Sequence, residues 1–172
     1  MPTGNPYSYD QMFDNVVEGT GKGVELSVNW QVNSWLSLIG TYTWQELDLS
    51  ETPDYQGQQS TPNISSINHP SHQASLRSAI DLAEDWQLNG WLRYVDEVLA
   101  RSSEDFYARR MIPVPSYFLF DANLVWKPRK NLEIMPDGRN LLNSSQLEYI
   151  AELITPATEI ERSVYCKVTW NL

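Results

Sequence analysis

Seven stretches of this chain alternate apolar and polar residues with a period of two, and every second gap between them is long. Across Val24–Gln31, Val24, Leu26, Val28 and Trp30 fall on one face and Glu25, Ser27, Asn29 and Gln31 on the other. An extended chain points successive side chains to opposite sides, so the pattern predicts a strand with one greasy and one wet face. The same reading predicts strands over Trp35–Leu47, Gln73–Leu82, Trp86–Val95, Tyr117–Trp126, Asn131–Asn140 and Ser163–Leu172. Three connections, Val32–Ser34, Ala83–Asp85 and Lys127–Lys130, have the length of tight hairpins. The others, roughly Asp48–His72, Glu97–Pro115 and Leu141–Arg162, exceed the roughly 12–15 residues that compact soluble domains leave without structure. Short turns at one end and long loops at the other are the pattern of an up-and-down barrel crossing an outer membrane.

The aromatic residues give an independent test. Trp30, Trp35, Trp86, Trp126 and Trp170 all fall beside a short turn or the end of the last strand, while Tyr42, Trp44, Tyr94 and Tyr117 fall at long-loop ends. Two aromatic belts flanking a band of Leu, Ile, Val, Ala and Gly fit a sheet spanning lipid. A formal net charge of -10 excludes a nucleic-acid binder, which needs cations against phosphate. The single Cys excludes an intrachain disulfide. No apolar run reaches the ~18–20 residues of a membrane helix. Met1–Asn5 has neither the basic start nor the apolar core of a signal peptide.

The expected fold is all-β: a curved antiparallel up-and-down sheet of about seven strands, part of a larger transmembrane β-barrel. Residues 1–20 are expected as an irregular N-terminal segment and 21–172 as the partial barrel with three long extracellular loops. An odd, open sheet leaves two unpaired edges, which lipid does not tolerate.

Several stretches then resemble a known family: Gly21–Trp30 (GKGVELSVNW), His69–Arg77 (HPSHQASLR), Val114–Tyr117 (VPSY), Asn131–Ile134 (NLEI), Gly138–Asn143 (GRNLLN) and Arg162–Trp170 (RSVYCKVTW). In order and spacing they resemble the C-terminal β-barrel segment of a TonB-dependent outer-membrane receptor. The resemblance implies a barrel of 22 strands plugged by an N-terminal domain. It also implies import of siderophores, vitamin B12 or oligosaccharides, driven through the TonB complex. The implied partners are outer-membrane lipid, the remainder of the receptor barrel and plug, and TonB through the missing plug; the implied location is the outer membrane, as part of the parent receptor. Its motif residues are Gly138, Asn140, Leu141 and Asn143. Pro136, Asp137, Cys166 and Leu172 depart from the family pattern, and with no plug in view the chain reads as a truncated or decaying frame.

Charged residues on the polar parity, Arg77, Arg93, Asp121 and Lys167, are expected to face the lumen, pairing with one another or meeting the plug or ligand. Arg101, Arg109 and Arg110, in the second long loop, are candidates for an anionic ligand or lipid phosphates. His69 and His72 read as a prolyl turn or half of a metal site lacking a third ligand. The loop acids Glu46, Asp48, Glu51, Asp54, Glu97, Glu104 and Asp105 read as solvated charge or a Ca²⁺ site against lipopolysaccharide. No nucleophile–base set, phosphate loop or cofactor fingerprint is present, so neither an enzyme nor a cofactor is expected. Two alternatives remain: a small stand-alone outer-membrane barrel or pore, and a soluble ligand-binding β-domain. The soluble reading requires Leu26, Leu38, Leu92 and Phe120 to converge inside a closed body.

Overall fold

The computed structural model describes residues 17–51, 69–101, 111–149 and 158–171. Its strands are β1 (Val17–Gln31), β2 (Leu36–Glu51), β3 (His72–Ala83), β4 (Trp86–Val95), β5 (Val98–Arg101), β6 (Met111–Val114), β7 (Tyr117–Arg129), β8 (Leu132–Arg139), β9 (Ser145–Tyr149), β10 (Thr158–Glu161) and β11 (Ser163–Trp170). Seven form one sheet in the order β1-β2-β3-β4-β7-β8-β11, the up-and-down path of the long strands in sequence. Two connections expected to be bare loops instead hold hairpins, β5 with β6 and β9 with β10.

The first strand also begins earlier than expected. Its regular pairing starts at Val17↔Glu51, so residues 17–20 belong to the sheet, whereas residues 1–16 lie outside the described residues. Alternation could not show this stretch, because Gly19, Gly21 and Gly23 occupy one parity and carry no side chain. The space is taken by the partner strand: a Cβ on Gly21 would stand 2.9 Å from Leu47 Cδ2, and one on Gly19 would overlap Leu49.

Local chemistry closes the short turns. Asn33 Oδ1 accepts from the backbone N–H groups of Trp35 (3.0 Å) and Leu36 (2.9 Å), the side-chain mimic of a turn that Asn favours. Glu84–Asp85 closes the second hairpin, after a bulge between Asp81 and Ala83. Pro136 interrupts the β7–β8 ladder. Cα pairing runs through Ala122↔Gly138 and Asn123↔Asp137, lapses, and resumes at Trp126↔Ile134. The lapse falls where an amide at 136 would donate to the Leu124 carbonyl, and proline has no N–H to give.

The register sets the tilt of the strands. One line of paired Cα atoms crosses the whole sheet through Trp30, Leu38, Ser78, Gly90, Ala122, Gly138 and Val164. Trp30 and Leu38 stand four residues from the centre of their turn, Ser78 and Gly90 six from theirs, Ala122 and Gly138 eight from theirs. The line therefore climbs one residue per strand. With a rise of ~3.3 Å per residue and ~4.8 Å between strands, the tilt is about 35°, within the range of membrane barrels.

The two faces differ as the sequence requires. Among the described apolar side chains only Val114 and Leu119 are buried, while Val24, Leu26, Val28, Leu76, Phe118, Val164 and Val168 are exposed on one face, Val164 to 74%. Leu26, Leu38, Leu92 and Phe120 share that face of a single layer and do not converge. Trp30, Trp86, Trp126 and Trp170 lie on it near the short-turn end; Trp86 and Trp126 are register partners with rings stacked 5.0 Å apart. Trp35 sits in the first turn, its carbonyl accepting the Asp81 N–H. The other belt needs one correction. Tyr117 has the polar parity, and Phe118 is the residue that packs against Tyr94, 5.0 Å between centroids. From Trp126 to Phe118 is eight residues, which at the tilt above spans about 22 Å of height, close to the ~25 Å apolar band of outer-membrane barrels.

Candidate functional site

The polar face bends around a concavity of about 600 Å³. Strand alternation carries Ser37 and Ile39 of β2, Arg77 of β3, Asn89, Trp91 and Arg93 of β4, Asp121 and Asn123 of β7, and Asp137 and Arg139 of β8 to its lining. Asn140 and Ile160 close it beside the β9–β10 hairpin.

Trp91 anchors the cluster. The guanidinium carbons of Arg77 and Arg93 lie over the indole, 4.2 and 4.1 Å from its centroid, where the negative π face attracts a cation. Arg93 Nη2 donates to Asp121 Oδ2 at 2.7 Å, with side chains only 29% and 17% exposed. Asp121 uses its other oxygen as well: Oδ1 accepts the backbone N–H of Asn140 at 2.9 Å. Asn89 Nδ2 donates to Asn123 Oδ1 at 2.9 Å. Arg139 Nη2 donates to the Tyr165 hydroxyl at 2.9 Å, and Arg139 Nε lies 3.5 Å from Asp137 Oδ1.

The motif Gly138, Asn140, Leu141, Asn143 is a clamp rather than a ligand set. Asn140 adopts φ 48°, the left-handed region that Asn tolerates better than most residues, and so turns the chain out of β8. Its side chain is buried and donates to the Ile160 carbonyl at 2.8 Å. Leu141 N–H donates to the Phe120 carbonyl, and Asn143 Nδ2 donates to the Phe118 carbonyl at 2.9 Å, so the turn lies along β7. Arg162 Nε donates to the Asn143 carbonyl, which ties in the entry to β11. Leu141 fills the space above Gly138, where a Cβ would stand 2.8 Å from Leu141 Cδ2. At the same end, Val98, Val114 and Leu147 pack β5, β6 and β9 together. Burial raises the Glu148 carboxyl above the ordinary range, and nearby Arg93 opposes that rise.

Of the four residues expected to face the lumen, three come together: Arg77 and Arg93 through Trp91, and Asp121 through Arg93. Lys167 shares the face but stands opposite Met135, outside the concavity lining. Trp91 and Arg139 were not singled out from the sequence, and Asp137 was named only as a departure from the family pattern. A Trp on an otherwise polar parity between Asn89 and Arg93 was the available signal. Arg101 ends β5 opposite Met111, and Arg109 and Arg110 lie outside the described residues. His72 Nδ1 bonds the Tyr42 hydroxyl at 2.8 Å, and the Ser71 and Pro70 carbonyls accept from Gln45, so the segment pins the start of β3. Among the described residues no three His, Cys, Asp or Glu side chains gather as a metal group. Glu46 pairs with Lys22 at 3.1 Å; Asp54, Glu104 and Asp105 lie outside the described residues. Cys166 is free and exposed, opposite Pro136.

Comparison with known proteins bears on the origin of this sheet. Among solved structures, the FpvAI–pyocin S2 complex superposes with TM-score 0.70 at 14% identity over 90% of this chain and 19% of that one. The ferripyoverdine receptor of the Pseudomonas aeruginosa outer membrane gives TM-score 0.67 at 13% identity, over 90% of this chain and 20% of the other. The ferric-catecholate import receptor Fiu from E. coli K12 gives 0.63 at 19% identity, over 86% and 20%. The chain therefore spans about a fifth of the length of these receptors. A search of curated proteins found no match. The family model described as TonB dependent receptor-like, beta-barrel, matches residues 2–141. With most of its length matched by that model, the chain belongs to the TonB-dependent receptor β-barrel family, whose members are receptors and transporters.

Proposed function

We propose that this chain is a C-terminal stretch of the wall of a TonB-dependent outer-membrane transporter. In this reading the apolar convex face meets lipid, and the concave face meets a water-bearing interior filled by a plug. The observation that carries it is the placement of apolar surface: the greasy side chains stand exposed on the convex side and the charged cluster lines the concave one. A soluble barrel has the reverse arrangement.

Strand direction supports a larger barrel. Among the described residues the main sheet has seven strands in antiparallel succession, so β1 and β11 run the same way. Joining these edges, or chaining copies head to tail, would set parallel strands side by side in a fold that is otherwise antiparallel. Closure needs an odd number of further strands, and a 22-stranded wall supplies fifteen. Import of siderophores, vitamin B12 or oligosaccharides, coupled to TonB through the plug, is then an activity of the whole receptor. The siderophore receptors among the structures of like fold favour the first class.

The test is fluorescence quenching of the full chain refolded into phosphatidylcholine vesicles with brominated acyl chains. Trp30→Phe and Trp170→Phe are expected each to remove part of the quenched signal, and Trp91→Phe to remove none. Quenching that follows Trp91 rather than Trp30 and Trp170 refutes the assignment of faces.

A further inference from the structure

We propose that Arg77, Trp91 and Arg93 form a receiving site for a carboxylate. The site rests on the reading that the concave face meets the barrel interior. Arg77 is exposed, and it has no acidic partner among the described residues. Its guanidinium lies over the Trp91 ring, an arrangement that fixes its plane while leaving N–H donors at the edge open. In the same concavity two further donors, Trp91 Nε1 and Arg93 Nε, and one acceptor, Asp137 Oδ1 on the far side beside Arg139, are buried and without a hydrogen-bond partner. Burying a polar group without a partner is unfavourable, so the lining is incomplete as it stands.

Three arginines, Arg77, Arg93 and Arg139, line the concavity with two aspartates, and Glu148 lies near Arg93 outside the lining. Asp121 is engaged by Arg93 and Asn140, and Asp137 lies beside Arg139. Arg77 is the arginine of this cluster with no acid beside it among the described residues. A planar fork beside further N–H donors suits a planar acceptor with two oxygens. Such a carboxylate has two sources: an acidic side chain of the polypeptide that fills the barrel, or a carboxylate-bearing small ligand.

The experiment uses the full chain, ¹⁵N-labelled at tryptophan and refolded in detergent micelles. The Trp91 indole resonance is assigned by its loss in Trp91→Phe. Sodium succinate and N-acetyl-glutamate amide are titrated at constant ionic strength, with succinamide, chloride and inorganic phosphate as controls. A saturable shift of the Trp91 indole by either carboxylate is expected. Arg77→Gln should weaken it at least about tenfold, the loss of a charge-assisted bond, and Arg77→Lys should recover part. Arg93→Lys, which keeps a cation for Asp121 but removes Nε, should weaken it as well. Tighter binding of the glutamate derivative points to the polypeptide source, and of succinate to the small ligand. No saturable shift, an equal shift by phosphate or succinamide, or unchanged affinity in Arg77→Gln overturns the site. Lipid quenching of Trp30 and Trp170 is read separately, so the site and the wall assignment fail independently.

Discussion

Asp121→Ala is expected to be the most damaging single substitution on the concave face. The carboxylate serves two donors: Arg93 Nη2 at 2.7 Å and the Asn140 N–H at 2.9 Å. Asn140 is 1% exposed, so its amide would find no water in exchange, at a cost of about 1.5–3 kcal/mol for a bond to a charged group. Breaking a fully buried ion pair costs about 3–5 kcal/mol, but Arg93 keeps 29% exposure and the Trp91 face, which cuts that figure to roughly a third. Together the loss is about 3 kcal/mol, more than a hundredfold in the unfolding equilibrium. Asp121→Asn keeps an acceptor for Asn140 and loses only the charge, so about 1–1.5 kcal/mol is expected. Urea unfolding of the full chain in micelles, followed by circular dichroism, measures both, and the cycle with Arg93→Gln isolates the pair. Amide exchange at Asn140 should quicken in the alanine variant and stay slow in the asparagine one. A change below about 0.5 kcal/mol for Asp121→Ala, or equal losses for the two variants, would refute the claim that one carboxylate holds both wall and clamp.

Other outcomes follow from particular contacts. Gly138→Val should destabilise the same unfolding transition by about 1–3 kcal/mol, since its side chain would occupy the position of Leu141, and Leu141→Ala should restore much of the loss. Pro136→Val supplies the amide missing opposite the Leu124 carbonyl, and a gain of about 1 kcal/mol in thermal unfolding is expected, with Asp137 and Asn123 amides better protected. Glu148 titrates above its unfolded range because burial disfavours the charge. Its contribution is therefore fully present below the unfolded pKa and lost as pH rises through the folded one. Hydrogen exchange along β9 should thus show Glu148→Gln gaining protection over the parent chain as pH goes from about 4 to about 7, and a constant difference would contradict this.

Period-two alternation made the seven long strands and their turn-side tryptophans legible, because a strand between two unlike solvents repeats its chemistry every second residue. Where side chains vanish, so does the signal, and β1 was read from Val24 because the glycines before it have nothing to alternate. The small hairpins β5–β6 and β9–β10 were hidden for another reason. Stretches such as Val98–Arg101 and Thr158–Glu161 are too short for a period to register. At the site, formal charge pointed to Arg77, Arg93 and Asp121, but not to Trp91, since a lone aromatic on a wet face reads as an exception rather than an anchor. Pairing in register shows its role: Arg77 stands opposite Trp91, and Arg93 follows two residues on. The clamp made by Asn140 was legible only as a motif, because its partners Asp121 and Ile160 come from β7 and β10.

The size of the barrel to which this wall belongs is constrained by its inner face. At a tilt of about 35°, a closed eight-stranded barrel has a radius of roughly 8 Å and a 22-stranded one roughly 21 Å. In the smaller barrel, seven strands form nearly the whole circumference, and inner side chains on β1 and β11 are buried against the opposite wall. Here Glu25, Ser27 and Asn29 of β1 and Lys167 of β11 are exposed on the inner parity. Among the described residues the side-chain contacts on that side, the Arg77–Trp91–Arg93–Asp121 cluster with Thr41–Ser75, Asn89–Asn123 and Arg139–Tyr165, join neighbouring strands of the sheet. An arc whose ends do not see one another is a minor part of a wide circle. The interior it faces is then too broad for wall side chains to fill, and the unpartnered donors on Trp91 and Arg93 are the points where a filling segment or ligand would make contact.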